Sequence, residues 1–349
     1  MVRLPWTKST DSADLAVPPP ADPVVPSLGN GIAVPMTDTM IRTLLESLRA
    51  PELPDAAEDF YVDWAGVRTR IAMLPWAPQE LRGRTVTDLP IPDDGYRSED
   101  VEYAALAQAL NTATETFRIV EVGAGWAPWV VSGLVIARRR GLRPYGIAVE
   151  ADARRSEWAM QHAVDNGIRA ELVTGTPDEI ATSLQRPPGD VEMRVVRAAG
   201  WHTRTTMQFP DIDEDDMGAA VWTLPGTDVD YRGAHLSHHD VPTVTMQSLL
   251  ESDDATDLLH VDVQGVEFEL LEPEAHVVQQ HTRYMAVGTT NRLVEGQLQQ
   301  FFLARGWGLI VDAPSAAVFT MTHPTLSGFT VRDGNQLWEN PFLREWPTA

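Results

Sequence analysis

Glu121-Val-Gly123-Ala-Gly125-Trp126 places one carboxylate and two glycines in a single short stretch. It follows the apolar run Phe117 to Val122 and precedes an apolar helical segment, Trp129 to Arg140. A second apolar run, Tyr145 to Val149, ends in Glu150. A strand, a glycine turn, a helix and an acid-tipped strand suit an adenosine-containing cofactor. The glycines let backbone approach the ligand, and the acid accepts hydrogen bonds from two ribose hydroxyls. A dinucleotide fingerprint needs a third glycine where this chain has Pro128. Glu121 would repel a pyrophosphate but help to hold a cationic group. Trp126, next to the turn, either shelters the cofactor or is core.

A second group of candidates lies in Asp257-Leu-Leu-His260-Val-Asp262-Val-Gln264-Gly265-Val-Glu267. Asp262 ends a buried strand, where open α/β sheets bind ligands. It reads as a general base, an orienting group or a contact to an ammonium, against the simpler role of satisfying a turn. His260 alternates with Asp262 and can share its face. It is a base near neutral pH or a packed core histidine. Gln264 can orient a hydroxyl but cannot take a proton. Glu267 either bonds a substrate or closes a helix start, and Thr289 and Asn291 either line a pocket or are ordinary loop residues. His235, His238, His239 and Asp240 are dense enough for a metal, but adjacent strand histidines face opposite ways, and a solvated loop explains them better.

These residues need elements to position them, and the order of apolar runs supplies a plan. Residues 1–35 are proline-rich and read as an extended arm. Residues 36–97 form an accessory region: a helix from Met40 to Leu48 and a hairpin around Ala65-Gly66. This region could shape an acceptor pocket, form a lid or mediate dimer contacts. Ser98 opens a helix to Ala113 with Glu102 as its capping partner. From Phe117 onward strands and helices alternate through residue 349, interrupted by a polar segment near 200–240 that reads as a loop or hairpin over the sheet edge. Ala170–Val173 and Met193–Ala198 compete for the third core strand. A helix from Leu293 to Arg305 stops at Gly306, and a late hairpin turns at Asp333-Gly334, giving an antiparallel strand at one edge. The alternation predicts a doubly wound, mostly parallel α/β sheet.

Composition removes several chemistries. The chain has 349 residues, no cysteine and a net charge of −23. Disulfides, thiolate nucleophiles and cysteine-rich metal sites are excluded. Lys8 is the sole lysine, so neither a P-loop nor a lysine Schiff base is expected. There is no apolar run of about 18 residues to span a membrane and no apolar stretch near Met1 to serve as a secretory signal. A cytoplasmic location is expected. The negative charge opposes nucleic acid. Arg138-Arg139-Arg140 reads as a helix end.

The E-x-G-x-G turn resembles motif I of class I S-adenosylmethionine-dependent methyltransferases. Residues 257–272 resemble the fourth-strand motif of the FkbM-type subgroup: hydrophobic, lysine, hydrophobic, aspartate, hydrophobic, glutamate, glycine, any, glutamate. Val241 to Leu250 and Gly288-Thr-Thr-Asn291 with Val294-Glu-Gly296 resemble its flanking segments. His260 stands in place of the lysine and Gln264 in place of the glutamate. The resemblance implies a seven-stranded Rossmann-like sheet, S-adenosylmethionine held by Glu121, Gly123, Gly125, Trp126 and Glu150, and methyl transfer to a hydroxyl of a sugar or other small metabolite. Asp262, with His260 or Gln264, would form the reaction centre, with Glu267, Thr289 and Asn291 toward the substrate. Some relatives use magnesium, for which Asp211, Asp213, Asp215 and Asp216 are available, but an acidic loop is the simpler reading and no metal site is assigned. A non-catalytic binding protein of the same fold, kept open by Gln264, and a nicotinamide oxidoreductase are the rival readings. Homo-oligomerisation is left open.

Overall fold

Phe117, Ile119 and Glu121 alternate with Val120 and Val122 along the central strand, and this alternation sets which side chains meet which layer. The computed structural model describes residues 36–213, 218–221, 236–252, 254–319 and 326–343. The expected arm at 1–35 lies outside them, as do His235, Asp215 and Asp216. The main sheet has eight strands: β1 (Thr116–Val122), β2 (Arg143–Glu150), β3 (Ala170–Val173), β4 (Met193–Arg197), β5 (Thr256–Val261), β6 (Thr282–Thr289), β7 (Gly308–Ala313) and β8 (Gly334–Glu339). Their order is β7-β8-β6-β5-β1-β2-β4-β3. All neighbours are parallel except β8, which runs against both β6 and β7. The chain winds outward from β1 to β2, then crosses to the other side at β5. The sheet is therefore doubly wound, with its switch point between β1 and β5.

The helices are α1 (Asp38–Leu48), α2 (Asp100–Thr112), α3 (Pro128–Arg139), α4 (Ala153–Asp165), α5 (Pro177–Leu184), α6 (Met246–Leu250), α7 (Glu267–Leu271), α8 (Ala275–His281) and α9 (Arg292–Leu303). One sheet face carries Phe117, Ile119 and Leu258 against Leu106 and Leu110 of α2 and Val130 and Leu134 of α3. The other carries Val120, Val122, Leu259 and Val287 against Leu249, Leu270, Val278, Leu298 and Phe302. Each such side chain contributes at most about 1.5–3 kcal/mol of burial. Thr37, Asp152, Thr245 and Asn291 cap their helices through side-chain oxygens. Gly167 and Gly306 end α4 and α9 at positive φ. No helix of the described residues is long and apolar enough to cross a membrane.

The structure departs from the sequence reading in several places. Both contenders for the third strand are in the sheet: β4 lies beside β2 and β3 beyond it, which makes eight strands rather than seven. The antiparallel strand is not at the edge, because β8 inserts between β6 and β7. Asp333-Gly334 is not the turn of that pair; Thr330–Arg332 instead pairs with Ala316–Ala317. The helix expected from Ser98 begins at Asp100 without a side-chain cap, and Glu102 turns toward the sheet. Residues 60–62 and 68–70 do form the expected antiparallel pair, and Arg84–Thr85 adds a parallel third strand. In the polar insertion, Thr206–Pro210 pairs antiparallel with His238–Val244, which also pairs with Ala199–Gly200. Phe209, Ile212 and Val221 of this insertion reach over the carboxyl ends of the strands rather than the sheet edge.

Candidate functional site

A cleft of about 260 Å³ opens above the carboxyl ends of β1, β2, β4 and β5. Its floor is the glycine turn. Gly123 and Gly125 have φ of 80° and 55°, and the Gly123 and Ala124 N–H groups both donate to the Val149 carbonyl. Gly123 is fixed less by ligand approach than by the fold itself: a Cβ there would lie 1.7 Å from the Asp262 carbonyl oxygen. Glu150, at the tip of β2, accepts from Gly125 N–H at 2.7 Å and from Asp152 N–H at 2.8 Å. Burial pushes its carboxyl up to about 7, although the two backbone donors pull the other way. The acid that was expected to hold a ribose also ties β1's turn to β2.

Glu121 has a structural task too. The N-cap of α3 is Ala127, in the left-handed region, and its side chain cannot cap. The Glu121 carboxylate does so instead, accepting from Val130 N–H at 2.9 Å. Pro128 takes the first helical position, where no N–H is needed. Glu121 is 1% exposed, and burial pushes it up to about 7. Trp126 lines the cleft, 5.8 Å from the Trp76 ring, and its buried Nε1 has no hydrogen-bond partner.

The β1–β5 register sets His260 beside Glu121 on the face covered by α2 and α3. From α2, Glu102 reaches His260, with Oε1 2.7 Å from Nε2. Burial alone would lower the imidazole's pKa. The Glu102 bond and the charges of Glu102, Glu121 and Asp262 outweigh it, so His260 sits above its ordinary value. Its buried Nδ1 has no partner. Asp262 follows the end of β5 and accepts from Gln264 Nε2 at 2.6 Å. Desolvation raises its carboxyl and the His260 charge lowers it, with a net upward direction. Gln264 adopts φ 62°, a conformation uncommon outside glycine and asparagine, which folds its amide back onto Asp262.

A second cleft of about 330 Å³ adjoins the first. Trp76, Tyr96, Arg97, Glu102 and Asp262 line both, so the two cavities meet at Glu102 and Asp262. The second is ringed by Asp93, Glu99 and Asp333 as well. Burial and the Asp262, Glu99 and Glu102 charges push Asp333 up to about 7. Arg97 is buried and already engaged, by Asp63 at 2.8 Å, the Pro128 carbonyl and the Ser132 hydroxyl.

Three expected substrate contacts are elsewhere. Glu267 is fully buried and accepts from the Val263 and Gly265 N–H groups, holding the turn that carries Gln264. Thr289 donates to Glu295. Asn291 caps α9 and donates to Ser327. None of the three lines either cleft. Asp211 is bonded by Ser237 and His239, and no group of three metal-ligating side chains converges among the described residues. Sequence reasoning missed Glu102 in this role, together with Trp76, Tyr96, Arg97 and Arg155. Glu102 lies 158 residues from His260, and no local spacing joins them.

No family model matches the chain. It is 27% identical over 291 residues to a protein of Jannaschia sp. (strain CCS1) named "Putative methyltransferase", covering 82% of this chain and 95% of that one. Among solved structures it is similar to methyltransferase FkbM from Methylobacillus flagellatus KT, at 10% identity over 69% of this chain and 54% of that one, with a TM-score of 0.34. It is also similar to the N-terminal domain of human METTL16 in complex with SAH, at 12% identity over 69% of each chain, with a TM-score of 0.33. Superpositions this loose add nothing to what the sheet topology shows.

Proposed function

We propose that the chain is an S-adenosylmethionine-dependent methyltransferase of FkbM type, acting on a hydroxyl of a sugar or other small metabolite. The observation that carries this reading is the junction: a cleft floored by the glycine turn and Glu150 meets a second cleft at Asp262. The name of the Jannaschia relative points the same way. The residues present suit the cofactor. Glu150 offers a buried carboxylate to the ribose hydroxyls, Trp126 has an unpartnered Nε1, and Glu121 lines the same cleft, where it would complement a cationic group when ionised.

S-adenosylmethionine, when bound, would supply an electrophilic methyl, its sulfur taking the electron pair of the broken C–S bond as the acceptor oxygen forms the C–O bond, and the chain's own residues would have to take the hydroxyl proton. Asp262, which lines both clefts and has its orientation held by the Gln264 amide, would take that proton. Gln264 therefore acts on Asp262 and need not be a base itself. Five carboxylates, Asp93, Glu99, Glu102, Asp262 and Asp333, line the second cleft against Arg97 and Arg332, of which Arg97 is already paired with Asp63, and this excess of acid favours a neutral or cationic acceptor over a phosphate-bearing one.

Transfer of labelled methyl from S-adenosylmethionine to a panel of glycosides and hydroxylated metabolites tests the reading. Asp262→Asn should lower turnover by about 100-fold or more while leaving cofactor affinity within about twofold. Equal turnover in a folded variant would remove Asp262 from the chemistry.

A further inference from the structure

The junction holds more acid than one base requires, and His260 sits among it, with Arg97 lining both clefts and Arg332, 3.8 Å from Glu99, lining the second. Glu102 from α2 and Asp262 from beyond β5 line both clefts, whereas His260 lines only the first. His260 is nine-tenths buried or more, bonds Glu102 through Nε2 at 2.7 Å, neighbours Glu121 across the β1–β5 register, and lies two residues from Asp262. From α3 it is faced by the uncharged Trp129 ring, 5.8 Å away. Arg97, the nearby guanidinium, is committed to Asp63 and lies over the Tyr103 and Trp129 rings.

Resting on the methyltransferase reading, we propose that Glu102 and Asp262 act as a carboxylate pair at the methyl-transfer junction, with His260 as the buried imidazolium that balances them. Two carboxylates facing one small cavity cannot both stay ionised without a counter-charge. His260 is placed to supply it, because its bond to Glu102 uses Nε2 and leaves Nδ1 as a second donor without a protein acceptor. A buried donor of this kind is costly unless a ligand completes it. The charges that surround His260, from Glu102, Glu121 and Asp262, all favour its protonated form and overcome burial. In return the His260 charge favours the ionised form of both Glu121 and Asp262. Glu102 thus gains two tasks: contact with the acceptor on one side and positioning of His260 on the other. The hydroxyl proton released on transfer passes to Asp262 or Glu102, and from there to solvent through the second cleft.

Two independent measurements test this. The first uses cofactor-free protein labelled with nitrogen-15 histidine, so it stands or falls whether or not methyl transfer occurs. The His260 resonances, identified by their loss in His260→Gln, should show an imidazolium at pH 7.5, and Glu102→Gln should move its titration to lower pH. A neutral His260 at pH 7.5, or the same titration in Glu102→Gln, would overturn the proposal. The second is the pH profile of turnover. His260→Gln should move the acid limb to higher pH, lowering the ratio of turnover at pH 6 to that at pH 8 severalfold, and His260→Lys should restore the ratio by returning a cation. An unchanged profile in His260→Gln, or no rescue by His260→Lys when that variant is folded and binds cofactor, would contradict it. Absence of S-adenosylmethionine binding to wild-type protein would instead reject the methyltransferase reading and leave the first measurement intact.

Discussion

Glu150 serves the fold and, on the proposed reading, a ligand as well. Its two oxygens hold the glycine turn and the start of α4, yet burial raises its carboxyl to about 7. A group whose folded value lies above its unfolded value of 4.5 favours folding less and less as pH rises from that value through about 7. The ligand-free protein therefore gives up stability from Glu150 and Glu121 across this window. On the proposed reading, ribose hydroxyls donate to the ionised carboxylate, so cofactor binding would draw on the deprotonated form. Affinity for S-adenosylmethionine should rise as pH increases from about 6 to 7, by up to roughly tenfold per pH unit and per group, then level off. Glu150→Gln should flatten that slope. A dissociation constant that is flat from pH 6 to pH 8 in wild-type protein would show that neither acid is coupled to the ligand.

The strand ends decide where the reactive groups sit, and most of that framework is readable in the sequence. The β1–turn–α3–β2 unit follows from two apolar runs, a pair of glycines and a terminal acid, all within one short span. Helix stops at Gly167 and Gly306 follow from glycine's tolerance of positive φ. Helix α5, between the two strand candidates, carries its own start signal in the capping box of Thr176 and Glu179. What local pattern could not show was which strands neighbour which: β8 inserts between β6 and β7, a pairing between segments distant in sequence. For the same reason Glu102 looked like a cap, and its partner across 158 residues was invisible. Thr289 and Asn291 lie at a strand end, as ligand contacts often do, yet they are spent on Glu295 and on the start of α9. Gly288 on β6 is a sharper pointer to the site. A Cβ there would lie 3.0 Å from the Asp262 Cγ, so Gly288→Ala should displace the carboxylate and lower turnover ~10- to 100-fold with little change in cofactor affinity. Turnover at the wild-type level would mean that the position of Asp262 is not critical.

Across the whole molecule, charge and architecture converge on one region. The net charge of −23 is not spread passively, because at least five carboxylates ring the second cleft or its junction with the first. The region before β1 contributes Trp76, Tyr96 and Arg97 to both cavities, and the insertion after β4 contributes Phe209, Ile212 and Val221 to the first. Segments that looked peripheral in the sequence thus supply walls of the site. The doubly wound sheet places this cleft at its switch point, where the strand ends separate. The central claim is that this cleft binds S-adenosylmethionine through the glycine turn and Glu150. Calorimetric titration of wild-type protein and Glu150→Ala tests it most directly. The account predicts saturable one-site binding that weakens roughly 5- to 150-fold in the variant, the loss expected for about 1–3 kcal/mol of hydrogen bonding to a charged acceptor. No heat of binding at millimolar cofactor in folded wild-type protein, or equal affinity in a folded Glu150→Ala, would contradict it.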